Sequence, residues 1–165
     1  MSTARMHIRP FRIGDEATLY RLHHDSIHRV AARDYTPEQI LAWAPARQDP
    51  GAWAIKMRHL RPFVLEIDGV IAGYADVQAH GYIDHFFVSA DFPRRGVGRL
   101  LMERIHEEAA HRGLAELTAD VSKTAQPFFA RFGFETVEQR FPVRAGVTIP
   151  NALMRKDLAC GVRQV

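Results

Sequence analysis

The chain has 165 residues, 47% hydrophobic and 25% charged, with a formal net charge of +3. That length suits one domain with its own core, so a single domain over 1–165 with its core at about 6–158 is expected. No apolar run approaches the roughly 18 residues that span a bilayer, residues 1–10 lack the apolar centre of a signal peptide, and the lone cysteine, Cys160, cannot form an internal disulfide. These features lead to the expectation of a cytoplasmic chain with no membrane contact. Its charges are scattered in short clusters of mixed sign, which gives no support for a nucleic-acid surface.

In chain order, "MHIRPFRIGD" alternates as a strand, and Asp15 is placed to cap a helix over about 15–32 carrying Leu19, Leu22, Ile27 and Val30. Thr36 and Pro37 open a second helix, which Pro45 ends. After residue 60 the period becomes two. Three strands follow, the first two joined by a turn at Asp68-Gly69 and the next pair near His80-Gly81, with the third at 82–88. A helix over 96–112 has Val97, Leu101, Ile105 and Ala109 in one apolar row and Arg-Glu pairs outside, and Gly113 stops it. A strand at 115–121, a helix ending at Gly133 and strands near 134–141 and 147–155 complete the chain. The order is β-α-α-β-β-β-α-β-α-β-β. It describes an α/β (α+β) fold with a largely antiparallel mixed sheet and one parallel βαβ crossover between strands 82–88 and 115–121.

Where that crossover enters its helix the chain reads "DFPRRGVGRLL". A glycine turn before a helix offers unpaired backbone N–H groups and the positive end of the helix dipole, a ready site for phosphate. Gly96 and Gly98 let an oxygen approach the backbone, Val97 lies between them, and Arg94, Arg95 and Arg99 supply charge and bidentate donors. The bland alternative is a tight turn with solvated arginines. A P-loop is excluded because no Gly-Lys-Ser/Thr run exists, and the dinucleotide fingerprint lacks its third small residue where Leu101 stands.

The stretch "VSADFPRRGVGRLLMERIHEEAAHRG" resembles the acetyl-coenzyme A signature of the GNAT superfamily of N-acetyltransferases, and "SKTAQPFFARFGFE" is similar to that family's second helix-to-strand segment. "AARDYTPEQILAWAP" and "NALMRKDL" further resemble a bacterial subgroup labelled YafP-like. The resemblance covers nearly the whole chain. It implies the GNAT-like fold, acetyl-coenzyme A as cosubstrate, no metal, and transfer of an acetyl group to a primary amine of a small molecule or an exposed protein amine. The alternative it leaves open is a non-catalytic acyl-coenzyme A-binding sensor or interaction module on the same fold. A homodimer is the default assembly.

The resemblance also implies a site. Arg94, Arg95, Gly96, Val97, Gly98 and Arg99 would hold the pyrophosphate, and Phe86, Val88, Ser122 and Phe129 would flank the pantetheine arm. A backbone N–H of Phe86–Val88 would polarise the thioester. Three positions depart from the family. Pro93 has neither the usual side-chain donor nor an N–H, Phe129 replaces a tyrosine that protonates the leaving thiolate, and Ser122 replaces an asparagine. On strand 82–88, Tyr82 and Asp84 point the same way as Phe86 and Val88, which makes them candidate catalytic residues for the amine's proton. The competing reading is a turn tyrosine and a carboxylate paired with a surface arginine. His85 would face the other way, against a helix. Asp34 and Tyr35, in the turn bordering the acceptor site of relatives, are further candidates as base or substrate contact. His24 and His28 lie one turn apart without a third ligand at metal spacing. Trp43 and Trp53 read as core or pocket wall.

Overall fold

The computed structural model describes residues 3–158, so Cys160 lies outside the described residues. Strand β1 (Met6–Pro10) leads to helix α1 (Glu16–Arg29), a 3-10 turn at Ala31–Arg33, helix α2 (Pro37–Trp43) and helix α3 (Pro50–Leu60). Strands β2 (Phe63–Ile67), β3 (Val70–Ala75), β4 (Tyr82–Ile83) and β5 (Phe86–Val88) precede α4 (Val97–His111), β6 (Glu116–Ser122) and α5 (Gln126–Arg131). The chain closes with β7 (Glu135–Arg140), the short hairpin β8 (Val143–Arg144) and β9 (Val147–Thr148), and β10 (Asn151–Asp157).

Two four-stranded sheets run in the orders β1-β2-β3-β5 and β4-β6-β10-β7. All their pairings are antiparallel except β4 with β6, which is parallel across the α4 crossover. Alternation on β2 sends Val64 to the face covered by α1 and α3, beside Leu19, Trp53 and Met57, and Leu65 to the face covered by α4. The expected row Val97, Leu101, Ile105 and Ala109 is buried there, while Arg99-Glu103 and Arg104-Glu108 pair on the outside at 3.0 and 3.3 Å. Among the described residues no helix is long and apolar enough to cross a membrane.

Three expectations are corrected. Helix α3 was not foreseen, although Asp49 caps it through Gly51 N–H at 2.9 Å and Pro50 fills its first turn, the same kind of signal that marks α2. Asp15 makes no side-chain cap on α1; Arg9 and the Arg12 backbone N–H hold its carboxylate instead. The strand expected at 82–88 is two strands.

Candidate active site

The break in that strand organises the site. Tyr82 and Ile83 pair with β6, then Phe86, Phe87 and Val88 pair with β3, and Asp84-His85 hands the chain from one sheet to the other. The Asp76 N–H donates to His85 O at 3.1 Å and the Ser89 N–H to Ala72 O at 2.8 Å. In an antiparallel ladder bonding alternates, so His85, Phe87 and Ser89 face β3 and the backbone N–H groups of Phe86 and Val88 turn away from it. They face the gap beside β6. A small cleft of about 80 Å³ occupies this gap, lined among others by Asp84, Phe86, Ser122 and Phe129.

On one side of the gap opens a channel that leads to a basic cradle of about 530 Å³, lined by Arg94, Arg95, Gly96, Val97, Gly98 and Arg99 together with Phe128 and Arg131. Gly96 is the N-cap of α4 in the left-handed region, φ 78°, and the first intrahelical bond runs from Leu100 N–H to Gly96 O at 3.0 Å. The N–H groups of Val97, Gly98 and Arg99 therefore lack a helical partner. A Cβ on Gly98 would sit 3.2 Å from the Phe128 ring, so a larger residue would crowd that ring and narrow the approach to the backbone. Arg99 pairs with Glu103, while no carboxylate lies within ion-pair distance of Arg94, Arg95 or Arg131 among the described residues. Pro93 belongs to the adjoining channel, of about 540 Å³, whose walls include Phe86, Val88, Ser122, Phe128 and Phe129. Phe129 is buried, with Phe86 against it at 5.6 Å between ring centroids.

On the other side lies a polar cavity of about 470 Å³ containing Tyr82, Asp84, His85, His23, Trp43, Trp53 and Tyr35 in its wall. The Tyr82 hydroxyl donates to Asp120 at 2.9 Å, and burial followed by that carboxylate pushes its pKa well above the usual phenol range. It holds its proton. Tyr35 is likewise committed: its hydroxyl donates to Pro150 O at 2.5 Å and accepts from Lys123 N–H at 2.9 Å. Asp34 is not in the cavity wall; it accepts from Thr124 Oγ1 at 2.8 Å. Asp84 has no ion-pair partner among the described residues and borders both this cavity and the gap.

His85 packs against α1 and α3 through His23 and Trp53, and it also forms cavity wall, which alternation along one unbroken strand did not anticipate. Its Nδ1 is hydrogen-bonded to the Tyr74 hydroxyl at 3.0 Å, and its backbone N–H donates to the buried Asp76 carboxylate at 2.5 Å. Burial, then the nearby Lys56, lowers His85 to about 2 and His23 to about 3, so both rings are neutral. Burial raises Asp76 to about 6. His24 and His28 stack at 4.1 Å, and His28 Nε2 meets Ala44 O at 2.7 Å; among the described residues no group of three metal-ligating side chains is assembled. The residues the sequence reading missed are Phe128 and Arg131 in the cradle and His23, Lys56, Asp120, Arg140 and Arg144 in the cavity. Arg131 had a signal, two residues before the glycine that follows α5; the others had none.

A mixed sheet thus parts beside a parallel crossover, with a glycine- and arginine-rich helix start on one side and a polar cavity on the other. Residues 31–157 match the model of the "Acetyltransferase (GNAT) domain". The chain is 34% identical over 148 residues to the uncharacterized N-acetyltransferase YafP of Escherichia coli (strain K12), spanning 90% of this chain and 93% of that one. A crystal structure of a GCN5-related N-acetyltransferase from Rhodopseudomonas palustris superposes with a TM-score of 0.88 at 30% identity, over 96% of this chain and 99% of that one. The PaiA N-acetyltransferase of Thermoplasma acidophilum, solved in complex with coenzyme A, shares the fold with a TM-score of 0.70 at 15% identity, over 93% and 99% of the two chains. The chain belongs to the GNAT acetyltransferase family.

Proposed function

We propose that the chain is an acetyl-coenzyme A-dependent N-acetyltransferase that passes the acetyl group to a primary amine by direct attack on the thioester. One observation carries this reading: the cradle adjoins the channel at Val88, Gly98 and Phe128, and the channel and the polar cavity both border the gap between β5 and β6. A ligand with phosphates at one end and a thioester at the other would thread from the first to the last, and the coenzyme A held by PaiA supports the choice of ligand.

In this reading the free N–H groups of α4, with Arg94, Arg95 and Arg99, bind the pyrophosphate, and Phe86, Val88, Ser122 and Phe129 flank the arm. The Phe86 or Val88 N–H polarises the carbonyl oxygen as negative charge develops on it. The amine nitrogen bonds to the carbonyl carbon, the carbon-sulfur bond breaks, and coenzyme A leaves as a thiolate. Asp84 receives the amine's proton, because Tyr82 is held as a phenol by Asp120. No phenol stands at Phe129. A thiol of pKa about 8.5 leaves without a dedicated acid, and solvent reaching through the channel protonates it.

The test is coenzyme A release, followed by a thiol-reactive dye, over a panel of amines, with the acetylated product identified by mass. Saturable release matched by product is expected. Tight binding of acetyl-coenzyme A with no panel amine acetylated would favour the sensor module instead.

A further inference from the structure

The polar cavity holds more charge than proton removal requires, and that charge is sorted. Asp120 is occupied twice, by Arg140 at 2.8 Å and by the Tyr82 hydroxyl at 2.9 Å. Arg140 also reaches Glu138 at 3.4 Å, so this group closes on itself. Three charges in the wall have no opposite charge within ion-pair distance among the described residues: Asp84, Lys56 and Arg144. Asp84 borders the gap. Lys56 and Arg144 are exposed, on α3 and the β8-β9 hairpin, so they stand at the mouth, and both act on the buried rings of His23 and His85. Aromatic rings, Trp43, Trp53 and Phe87, line the walls.

Two further polar atoms lie behind the wall. His23 Nδ1 and Asn151 Oδ1 are buried without a hydrogen bond, and both residues line the cavity. His23 itself is only 8% exposed. Both atoms lie behind the surface of the wall, out of reach of the cavity itself, so the charges at its surface are what a ligand meets.

Building on the acetyltransfer reading above, we infer that the acceptor is a small primary amine bearing its own carboxylate on an apolar or aromatic body, its amine at Asp84 and its carboxylate at Lys56 and Arg144. Such a molecule sets its ammonium against Asp84 and its carboxylate between the two cations, so that each of the three charges faces an opposite one, and its body replaces water against the rings. A plain amine would leave the two cations at the mouth unanswered, and the like charge of its ammonium would meet them on entry.

Binding separates this inference from the reading beneath it. Calorimetry on the protein saturated with coenzyme A would compare aminomethylbenzoate with benzylamine and phenylalanine with phenethylamine, pairs that differ by a carboxylate. At least one acid should bind about tenfold or more tightly than its partner, a gap that shrinks to within about threefold in the Lys56→Met/Arg144→Met variant. Both positions are exposed, so the variant is expected to fold. Equal or better binding by both plain amines, or a preference that survives loss of both cations, overturns the inference. Acid-selective binding with no acetylation of any amine supports the ligand class of the cavity and overturns the acetyltransfer reading; acetylation with no acid preference supports that reading and overturns the inference.

Discussion

The two sides of the gap are built in opposite ways. The basic cradle comes chiefly from one contiguous run, Phe92 to Arg99, completed by Phe128, Arg131 and Phe132 of the α5 region, and it offers the free backbone N–H groups of α4. The polar cavity draws on α1, the turn before α2, α3, β4, β6 and the β8-β9 hairpin, and it presents side chains. A backbone cradle accepts one kind of chemistry and tolerates little change. A cavity assembled from many elements can be retuned residue by residue.

The sharpest way to break that contrast is Gly98→Glu. The first added carbon already meets Phe128 at 3.2 Å, and the carboxylate then fills and repels the phosphate site. Acetyl-coenzyme A affinity measured by calorimetry should fall about a hundredfold or more, with the fold retained by circular dichroism. Unchanged affinity in a folded variant would remove the cradle from the mechanism.

On the acceptor side the largest effect is expected from Asp84→Asn. A lysine-like amine of pKa about 10.4 is nearly all protonated at neutral pH, so turnover on it should drop about tenfold or more, with little change for a weakly basic aromatic amine. Equal losses on both, across full pH-rate profiles, would make Asp84 a contact and reopen the question of the base.

The same contrast explains how much was legible in the sequence. The cradle was, because Arg94 to Arg99 and the α4 row are local patterns with a local cause. So were the element order around β2, β3, α4 and β6 and the resemblance to the GNAT family. The cavity was not. His23, Lys56 and Arg144 meet only through tertiary packing, and no spacing along the chain marks them. The split at Asp84-His85 left only a faint trace, two polar residues in a row followed by Phe86-Phe87-Val88, where the period of two lapses; across it the chain changes partner from β6 to β3. Helix α3 is a different case: Asp49-Pro50 and the spacing of Trp53, Met57 and Leu60 were readable.

A third prediction tests the cavity's cost. Unfolded histidine titrates near 6.5, but His23 and His85 resist protonation down to about 3 and about 2 in the fold. The unfolded chain therefore binds protons that the native one refuses, and stability falls as pH drops below about 6.5, by about 1.4 kcal/mol per pH unit for each ring. Asp76, raised to about 6, opposes this, because the native state gains a proton there first, but it is one group against two. His23→Phe places an aromatic ring among Trp53, His85 and Phe87 and removes one titration and one unpaired nitrogen. Urea midpoints between pH 6.5 and 4.5 should decline visibly less steeply than in the parent, and an identical slope would mean that His23 does not set the acid limit.

The smallest effect belongs to the border between the two sides, at Phe129. Its ring is 3% exposed and packs edge-on to Phe86 and Phe134, yet it also forms part of the wall of the channel and of the gap. Phe129→Tyr adds a hydroxyl near the departing sulfur. A general acid typically contributes about 10²–10⁴ in rate when the leaving group is poor, but a thiolate leaves readily, so turnover should rise by no more than about tenfold and acetyl-coenzyme A affinity should move by less than about threefold. Stopped-flow turnover alongside calorimetry reads both. A hundredfold loss of turnover in a folded variant would point elsewhere: the ring's packing on Phe86 would then be what fixes the strand whose N–H groups face the gap, and the cofactor side would prove less tolerant of a side-chain change than its backbone chemistry implies.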